Sequence, residues 1–364
     1  MKRNKIVSLL LTLILLSFTT INILASTTQP TTSKQTIKPV DIHYISTGNS
    51  DCILICDNGK YAMIDGADND DEQFLVDYLN KLEIKQLEYL ILTHPDADHS
   101  GGLDAIVKNF KVNQVFVGNG KADTKTYKSF IQACMDKKLQ PSVPLADKTF
   151  TLGNGSFQFF NQKAQYDDVN DHSLVALYVN GSNKFLFTGD SGKEVEATLP
   201  LKDIGKIDVL KVGHHGSSTS SSDAFIKAIA PKYAVICCGK DNKYGHPHKE
   251  TTGILNKYKA TTYRTDINGT VKVTSDGKNI TIATENKATD KAVNSPTNNT
   301  TTANTKDKKQ ETSTTQPITT TVYVTKTGEK YHKDGCSSLS KSKIPISIDD
   351  AKAQGYEPCS KCCK

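Results

Sequence analysis

The feature that most constrains this chain is a short polar run between two apolar ones. Residues 93–102 read Thr-His-Pro-Asp-Ala-Asp-His-Ser-Gly-Gly, after an apolar run that predicts a strand and before one that predicts a helix. Such strand-to-helix turns can bring closely spaced side chains together. A solvated acidic loop is the alternative interpretation, and the two histidines and the Gly-Gly exit disfavour it. Because buried unpaired charges are costly, the turn predicts a metal site. Its candidate ligands are His94, Asp96, Asp98 and His99.

Strand-like and helix-like runs alternate through residues 39–285. Asn58-Gly59 and Asn180-Gly181 each lie between two strand-like runs and predict hairpin turns. Polar residues recur where predicted strands end, as active-site loops do in α/β sheets. We therefore expect one large α/β (α+β) domain. Its other candidate functional residues are Asp65, His172, Asp190, His214, His215, His246 and His248.

This distribution of imidazoles and carboxylates favours a dinuclear centre. His94 and Asp96 would hold one divalent metal, Asp98 and His99 the other, and Asp190 could bridge them. Two such metals, about 3.5–4 Å apart, can activate a water and stabilise charge in a displacement. Asp65 is expected to orient a ligand histidine rather than to bind metal itself.

The N-terminus has the pattern of an export signal. A basic start with Lys2, Arg3 and Lys5 precedes an apolar stretch, and Ile23-Leu24-Ala25 resembles a cleavage site. An uncleaved anchor is the alternative, but polar residues interrupt the stretch. We predict a signal peptide at 1–26, a linker at 27–38 and no stable membrane span after cleavage. The net charge of +6 permits an anionic substrate without proving one.

The last quarter of the chain has a different composition. Residues 286–319 are polar and low in complexity, which predicts a disordered linker. Residues 320–364 form a predicted small module with four candidate ligands of one structural zinc ion: His332, Cys336, Cys359 and Cys362. Disulfides are the alternative in an exported chain, and Cys363 is left over. So small a module needs one or the other to fold.

Several motifs together resemble the metallo-β-lactamase-fold hydrolases. They are His94-x-Asp96-x-Asp98-His99, Thr188-Gly189-Asp190 and Gly213-His214-His215-Gly216. More narrowly, with residues 48–51, 65–66, 170–174 and 244–248, they resemble the extracellular hydrolase domain of ComEC-type DNA-uptake proteins. The resemblance implies a four-layer αββα sandwich with its metals at one edge. It also implies a bacterial protein that is secreted or held at the cell surface.

The resemblance also suggests roles for individual residues. His214 would bind the second metal, whereas His215 and His246 would contact a phosphate or protonate a leaving group; which of the adjacent pair binds metal stays open. The superfamily's third metal-binding histidine has no clean match, and His172 is either that ligand or an outer contact. The superfamily usually has His at the position of Asp96, although the ComEC-like subgroup commonly has Asp, and a carboxylate there favours Mn²⁺ or Mg²⁺ over Zn²⁺. The predicted catalytic residues are Asp98, His215 and His246.

These observations converge on a secreted hydrolase that uses two divalent metal ions, Zn²⁺ or Mn²⁺. The expected partner is an anionic phosphodiester, most plausibly extracellular DNA. Hydrolysis of a phosphorylcholine ester or a lactone on the same fold is the first alternative. The second is a surface DNA-binding protein, since residues 320–364 also resemble, distantly, the metal domain of Ada-type DNA-repair proteins.

Overall fold

A computed structural model describes residues 39–163, 165–286, 321–325, 330–333, 336–339, 344–347, 351 and 356–363. The chain divides into two compact units between Thr297 and Asn298. The predicted signal peptide at 1–26, the linker at 27–38 and nearly all of the linker at 286–319 lie outside the described residues. No helix in the described part of the chain is long and apolar enough to cross a bilayer.

The larger unit is built from strands and short helices. Its strands are β1 (Val40–Tyr44), β2 (Ile53–Asp57), β3 (Lys60–Ile64), β4 (Gln86–Leu92), β5 (Lys111–Val117), β6 (Phe150–Leu152), β7 (Gly155–Phe160), β8 (Val175–Asn180), β9 (Asn183–Phe187), β10 (Val209–Lys211), β11 (Tyr233–Ile236), β12 (Thr261–Arg264), β13 (Val271–Ser275) and β14 (Ile280–Thr284). Its helices are α1 (Glu72–Lys81), α2 (Ala97–Ser100), α3 (Leu103–Asn109), α4 (Lys125–Asp136), α5 (Lys193–Thr198), α6 (Leu201–Ile204), α7 (Asp223–Ile229), α8 (Lys249–Lys257) and α9 (Thr265–Asn268).

Two seven-stranded mixed sheets form the middle of this unit. Their orders are β14-β13-β1-β2-β3-β4-β5 and β12-β11-β10-β9-β8-β7-β6. Strands β3, β4 and β5 are parallel, as are β9 to β12. An aromatic-rich core that includes Tyr44, Phe157 and Phe187 draws on strands of both sheets. Parallel neighbours place their carboxyl ends at one edge, where α/β folds build sites.

Helices cover the outer face of each sheet. Apolar residues of α1, α3 and α4, such as Leu79 and Phe130, pack in a cluster with the first sheet. Residues of α5, α7 and α8, such as Val195 and Leu255, do the same with the second. The amphipathic spacing of α1, which buries Leu75, Val76 and Leu79 while leaving Asp77 exposed, produces this arrangement. The predicted four-layer αββα fold is therefore confirmed.

The two predicted hairpin turns have different outcomes. Asn58 and Gly59 both have positive φ, 49° and 74°, and join β2 to β3 as expected. In the second hairpin, however, Asn180 remains in its strand and pairs with Asn183, so the turn is Gly181-Ser182 rather than Asn180-Gly181. The physical reason is that the Asn180 side chain donates to the buried carboxylate of Asp57, which keeps it in the sheet.

The smaller unit has little regular structure among its described residues. Strand β15 (Thr321–Val324) pairs with β17 (Ile344–Ser347), and β16 (Lys330–Tyr331) pairs with β18 (Glu357–Pro358). Its hydrophobic cluster consists of buried Val322, Val324, Tyr331 and Ala351. So small a core supplies little stabilisation by itself.

Candidate metal centre

The candidate ligands lie at the carboxyl ends of strands from both sheets. Asp65 follows β3 and His94 follows β4, whereas Asp190 follows β9 and His215 follows β10. The chain leaves β4 through an extended Asp96, with φ −65° and ψ 154°, and then enters α2, which carries Asp98 and His99. The short polar run thus presents its side chains at the same sheet edge as the later motifs.

Four side chains converge most closely: Asp98, His99, Asp190 and His215. One ligand atom from each lies within 4.8 Å of the others. The two carboxylate oxygens of Asp190 face different histidines, with Oδ1 3.3 Å from His99 Nε2 and Oδ2 3.2 Å from His215 Nε2. His215 Nε2 also lies 3.3 Å from Asp98 Oδ2. Asp190 is therefore placed where one carboxylate can serve two neighbouring centres.

Several of these atoms are buried without a hydrogen-bond partner in the described part of the chain. They are the Nε2 atoms of His94, His99 and His215 and Oδ1 of Asp190. Buried polar atoms are normally satisfied, so a group of orphans pointing at one space indicates a missing ligand. Imidazole nitrogens and carboxylate oxygens are donors that suit Zn²⁺ and Mn²⁺. The residues therefore fit a divalent metal.

His94 and Asp96 lie beside this cluster. The His94 ring centroid is 4.1 Å from that of His99, and His94 Nε2 is 3.9 Å from Asp96 Oδ2. Burial and the neighbouring His99 lower the pKa of His94 to about 3, so its imidazole is neutral at pH 7 and free to coordinate. Asp96 is partly exposed and borders the solvent side.

Asp65 is placed to orient His99. Its carboxylate accepts hydrogen bonds from Thr93 N at 2.7 Å and Thr93 Oγ1 at 2.8 Å, and it lies 2.8 Å from His99 Nδ1. Burial opposes a charge on His99, but the carboxylates of Asp190 and Asp65 raise its pKa well above the ordinary value. A carboxylate on Nδ1 directs Nε2 toward a metal, as outer partners of ligand histidines do.

The two adjacent histidines point in different directions. Both have positive φ, 48° for His214 and 50° for His215, which turns the chain sharply. The structure brings His215 into the four-residue cluster, whereas the His214 side chain is a quarter exposed, with Nε2 3.8 Å from Asp190 Oδ2 and Nδ1 3.0 Å from Thr219 Oγ1. This placement favours His215 as the metal ligand and His214 as the residue that contacts the phosphate or the leaving group, which is the reverse of the predicted roles.

His172 is not brought into the cluster. Its Nδ1 lies 2.7 Å from Asn119 Oδ1, and its Nε2 lies 3.0 Å from the carbonyl oxygen of Tyr166. Both ring nitrogens are thus occupied, which favours the outer contact over the predicted ligand.

His246 lies at the rim of the centre. Its ring centroid is 5.6 Å from that of His214 and 6.2 Å from that of His215. Burial, together with His215 and His214, lowers the pKa of His246 to about 4. A neutral ring at pH 7 can donate one hydrogen bond to a substrate oxygen but is a poor source of a full proton.

A buried ion pair that was not predicted from the sequence lies beside the centre, in contact with one of its histidines. Lys211, at the end of β10, is fully buried and bonds to the carboxylate of Asp51 and to the carbonyl oxygen of Val212 at 3.0 Å. Asp51 Oδ1 lies 3.4 Å from His215 Nδ1, which also contacts the carbonyl oxygen of Cys237 at 2.9 Å. A lysine inside the apolar run 209–212 was the signal that could have revealed it.

The second cluster lies in the smaller unit. Ligand atoms of His332, Cys336, Cys359 and Cys362 all lie within 4.8 Å of one another. His332 Nδ1 is 3.4 Å from Cys336 Sγ and 3.9 Å from Cys362 Sγ. Tetrahedral zinc with ordinary bond lengths would hold such a nitrogen and sulfur about 3.6 Å apart. The described cysteines are free thiols, and this cluster could bind a metal.

Comparisons with known proteins place the large unit in a family. The model of the metallo-beta-lactamase superfamily matches residues 45–240, and the chain belongs to that superfamily, whose members are generally metal-dependent hydrolases.

Two bacterial proteins are among the relatives of this chain. It is 33% identical over 203 residues to ComE operon protein 3 of Bacillus subtilis (strain 168), covering 55% of this chain and 26% of that protein. It is 32% identical over 249 residues to Recombination protein 2 of Haemophilus influenzae (strain ATCC 51907 / DSM 11121 / KW20 / Rd), covering 66% and 29%. The chain thus spans under a third of either relative, and the predicted ComEC-type resemblance is confirmed.

Among solved structures, the metallo-beta-lactamase fold protein YhfI from Bacillus subtilis is similar at 12% identity with a TM-score of 0.45. The match covers 62% of this chain and 96% of that one.

Proposed function

We propose that this chain is a metal-dependent phosphodiesterase that cleaves DNA outside the cell. The observation that carries the proposal is the convergence of Asp98, His99, Asp190 and His215 at one sheet edge, where ligand atoms of the last three are buried without a hydrogen-bond partner among the described residues. The similarity to ComE operon protein 3 and to Recombination protein 2 supports DNA as the substrate. The predicted export signal supports an extracellular site of action.

We assign the ligands of two divalent metals from the geometry. His94, Asp96 and Asp190 would hold one, and Asp98, His99, His215 and Asp190 the other. When bound, the metals would supply an activated water and neutralise charge on the phosphoryl group. The carboxylate at Asp96 favours Mn²⁺.

The protein's own residues would complete the reaction. Asp65 holds His99 in one orientation, and Asp51 with the Cys237 carbonyl holds His215. His214 and His246 line the rim, where imidazole N–H groups can hydrogen-bond to non-bridging phosphoryl oxygens. Hydrogen bonds from His214 and His246 would fix the orientation of a phosphodiester at the centre, in addition to the electrostatic attraction of the metals.

The decisive assay compares three substrates. The metal-stripped protein would be given Mn²⁺ or Zn²⁺ and assayed on linear DNA, bis-p-nitrophenyl phosphate and a lactone. We expect Mn²⁺-dependent DNA cleavage. Asp98→Asn should reduce it more than about 100-fold, because removing a metal ligand lowers activity more than removing an outer partner of a ligand does. Asp136→Asn, an exposed change on α4, is the matched control.

The other outcomes separate the alternatives. Turnover of only the lactone or another ester would refute the nuclease and keep the metal centre. DNA binding without turnover of any substrate, retained in Asp98→Asn and lost on removal of residues 320–364, would instead establish a binding protein.

We further propose that the small unit holds one structural zinc ion through His332, Cys336, Cys359 and Cys362. The nitrogen-to-sulfur distances near those of a tetrahedral site support zinc over a disulfide.

A further inference from the structure

An open groove of about 580 Å³ begins at the metal centre. Asp98 is one of its lining residues, so the groove and the candidate centre are continuous. Its other walls include Asn49, Lys240, Lys243 and Tyr244. We call it the Tyr244 groove.

Tyr244 is the aromatic residue that lines this groove. Its side chain is 55% exposed. His246 stacks against it, with ring centroids 5.5 Å apart and an interplanar angle of 21°, and Lys243 Nζ lies 5.0 Å from the Tyr244 ring centroid. An exposed aromatic ring with a cation beside it is what single-stranded nucleic acid sites use to stack bases and hold phosphates.

The loop that carries Tyr244 is braced from within. The side-chain nitrogen of Asn242 donates to the carbonyl oxygens of Gly239 at 2.8 Å and His246 at 2.6 Å, and its side-chain oxygen accepts from His246 N at 2.9 Å. His248 Nε2 lies 3.1 Å from the carbonyl oxygen of Tyr244. The ring is therefore held in place before any ligand arrives, which lowers the entropic cost of binding.

We infer that the Tyr244 groove binds an unpaired nucleotide next to the scissile phosphate, so that single-stranded DNA is the preferred substrate. The base stacks on Tyr244, and Lys240 and Lys243 contact phosphates. A base inside a duplex cannot reach a side-chain ring, so duplex DNA loses these contacts. The inference rests on the proposed function and names its substrate class.

Binding and turnover are tested separately. The Mn²⁺-loaded full chain would be titrated into a fluorescein-labelled 12-nucleotide single strand with phosphorothioate linkages, and into the matched duplex, with anisotropy as the readout. Tyr244→Ala should weaken single-strand binding at least about fivefold, the low end of the value of one stacked base. Duplex binding should change less than about twofold, and Tyr244→Phe, which keeps the ring, should restore the affinity. Phe74→Ala, an exposed aromatic change on α1, is the control.

Turnover then distinguishes the two proposals. In Tyr244→Ala, kcat/KM on single-stranded DNA should fall at least about fivefold relative to that on bis-p-nitrophenyl phosphate, which has no base. An equal loss on both, or equal loss for single strand and duplex, would overturn the groove assignment. Single-strand binding that depends on Tyr244 without any DNA cleavage would overturn the nuclease and support the groove.

Discussion

The two candidate metal clusters of this chain differ in how much the surrounding fold is expected to depend on metal. In the large unit, ligands come from the ends of strands in two seven-stranded sheets, whose positions are set by extensive buried clusters. Among the described residues of the small unit, the four candidate ligands accompany a hydrophobic cluster with four buried members. We expect the first fold to build its site before metal arrives, and the second to depend on its proposed zinc ion for folding.

The largest expected effect is on the small unit. Cys359→Ser should unfold it, because the buried ligand is lost and structural zinc supplies on the order of 10 kcal/mol in such modules. Limited proteolysis of the region beyond residue 320 measures this. Cys363→Ser, next to the cluster but outside the four, is the control and should leave it resistant to protease. If dithiothreitol unfolds the small unit and a zinc chelator does not, disulfides rather than zinc stabilise it, and the proposed contrast in metal dependence between the two units is wrong.

The second-largest expected effect tests whether buried contacts stabilise the large unit in the absence of metal. Lys211→Met leaves Asp51 buried without its cation and should lower the free energy of unfolding by about 3–5 kcal/mol. Urea denaturation of metal-free protein measures the change. Lys128→Met removes an exposed pair with Asp123 and should cost under about 1 kcal/mol.

A double variant then isolates the charge. Adding Asp51→Leu to Lys211→Met should recover part of the lost stability, since no unpaired charge stays buried. If chelation destabilises the large unit more than Lys211→Met does, its fold depends on metal as the small unit's does.

The smallest expected effect tests whether His172 is one of the metal ligands. His172→Ala should cost only about 1–2 kcal/mol for the lost contacts with Asn119 and Tyr166. Metal content, measured by mass spectrometry, should stay at the wild-type level, while His94→Ala should lose metal. A missing metal equivalent in His172→Ala would restore His172 as a ligand.

Much of this architecture was predictable because its signals are local. The polar run at 93–102 and the Asn58-Gly59 turn depend on neighbours in sequence, and the resemblance supplied the layer order. The hairpin β6–β7 was missed, although residues 155–160 alternate buried and more exposed positions.

What could not be predicted depends on distant contacts. Asn180 stays in its strand because of Asp57, far away in the chain, and the Asp51–Lys211 pair joins the loop before β2 to the last residue of β10 in the other sheet. His214 and His215 are adjacent and chemically identical. Only the left-handed backbone at both positions decides which ring turns inward.

The division of the metal centre between the two sheets has a consequence during synthesis. The run with His94 and His99 leaves the ribosome long before Asp190 and His215 do, so a nascent chain cannot assemble the centre. Chemistry becomes possible only after the second sheet has docked on the first. An unfinished chain therefore lacks part of the ligand set that the proposed hydrolysis requires.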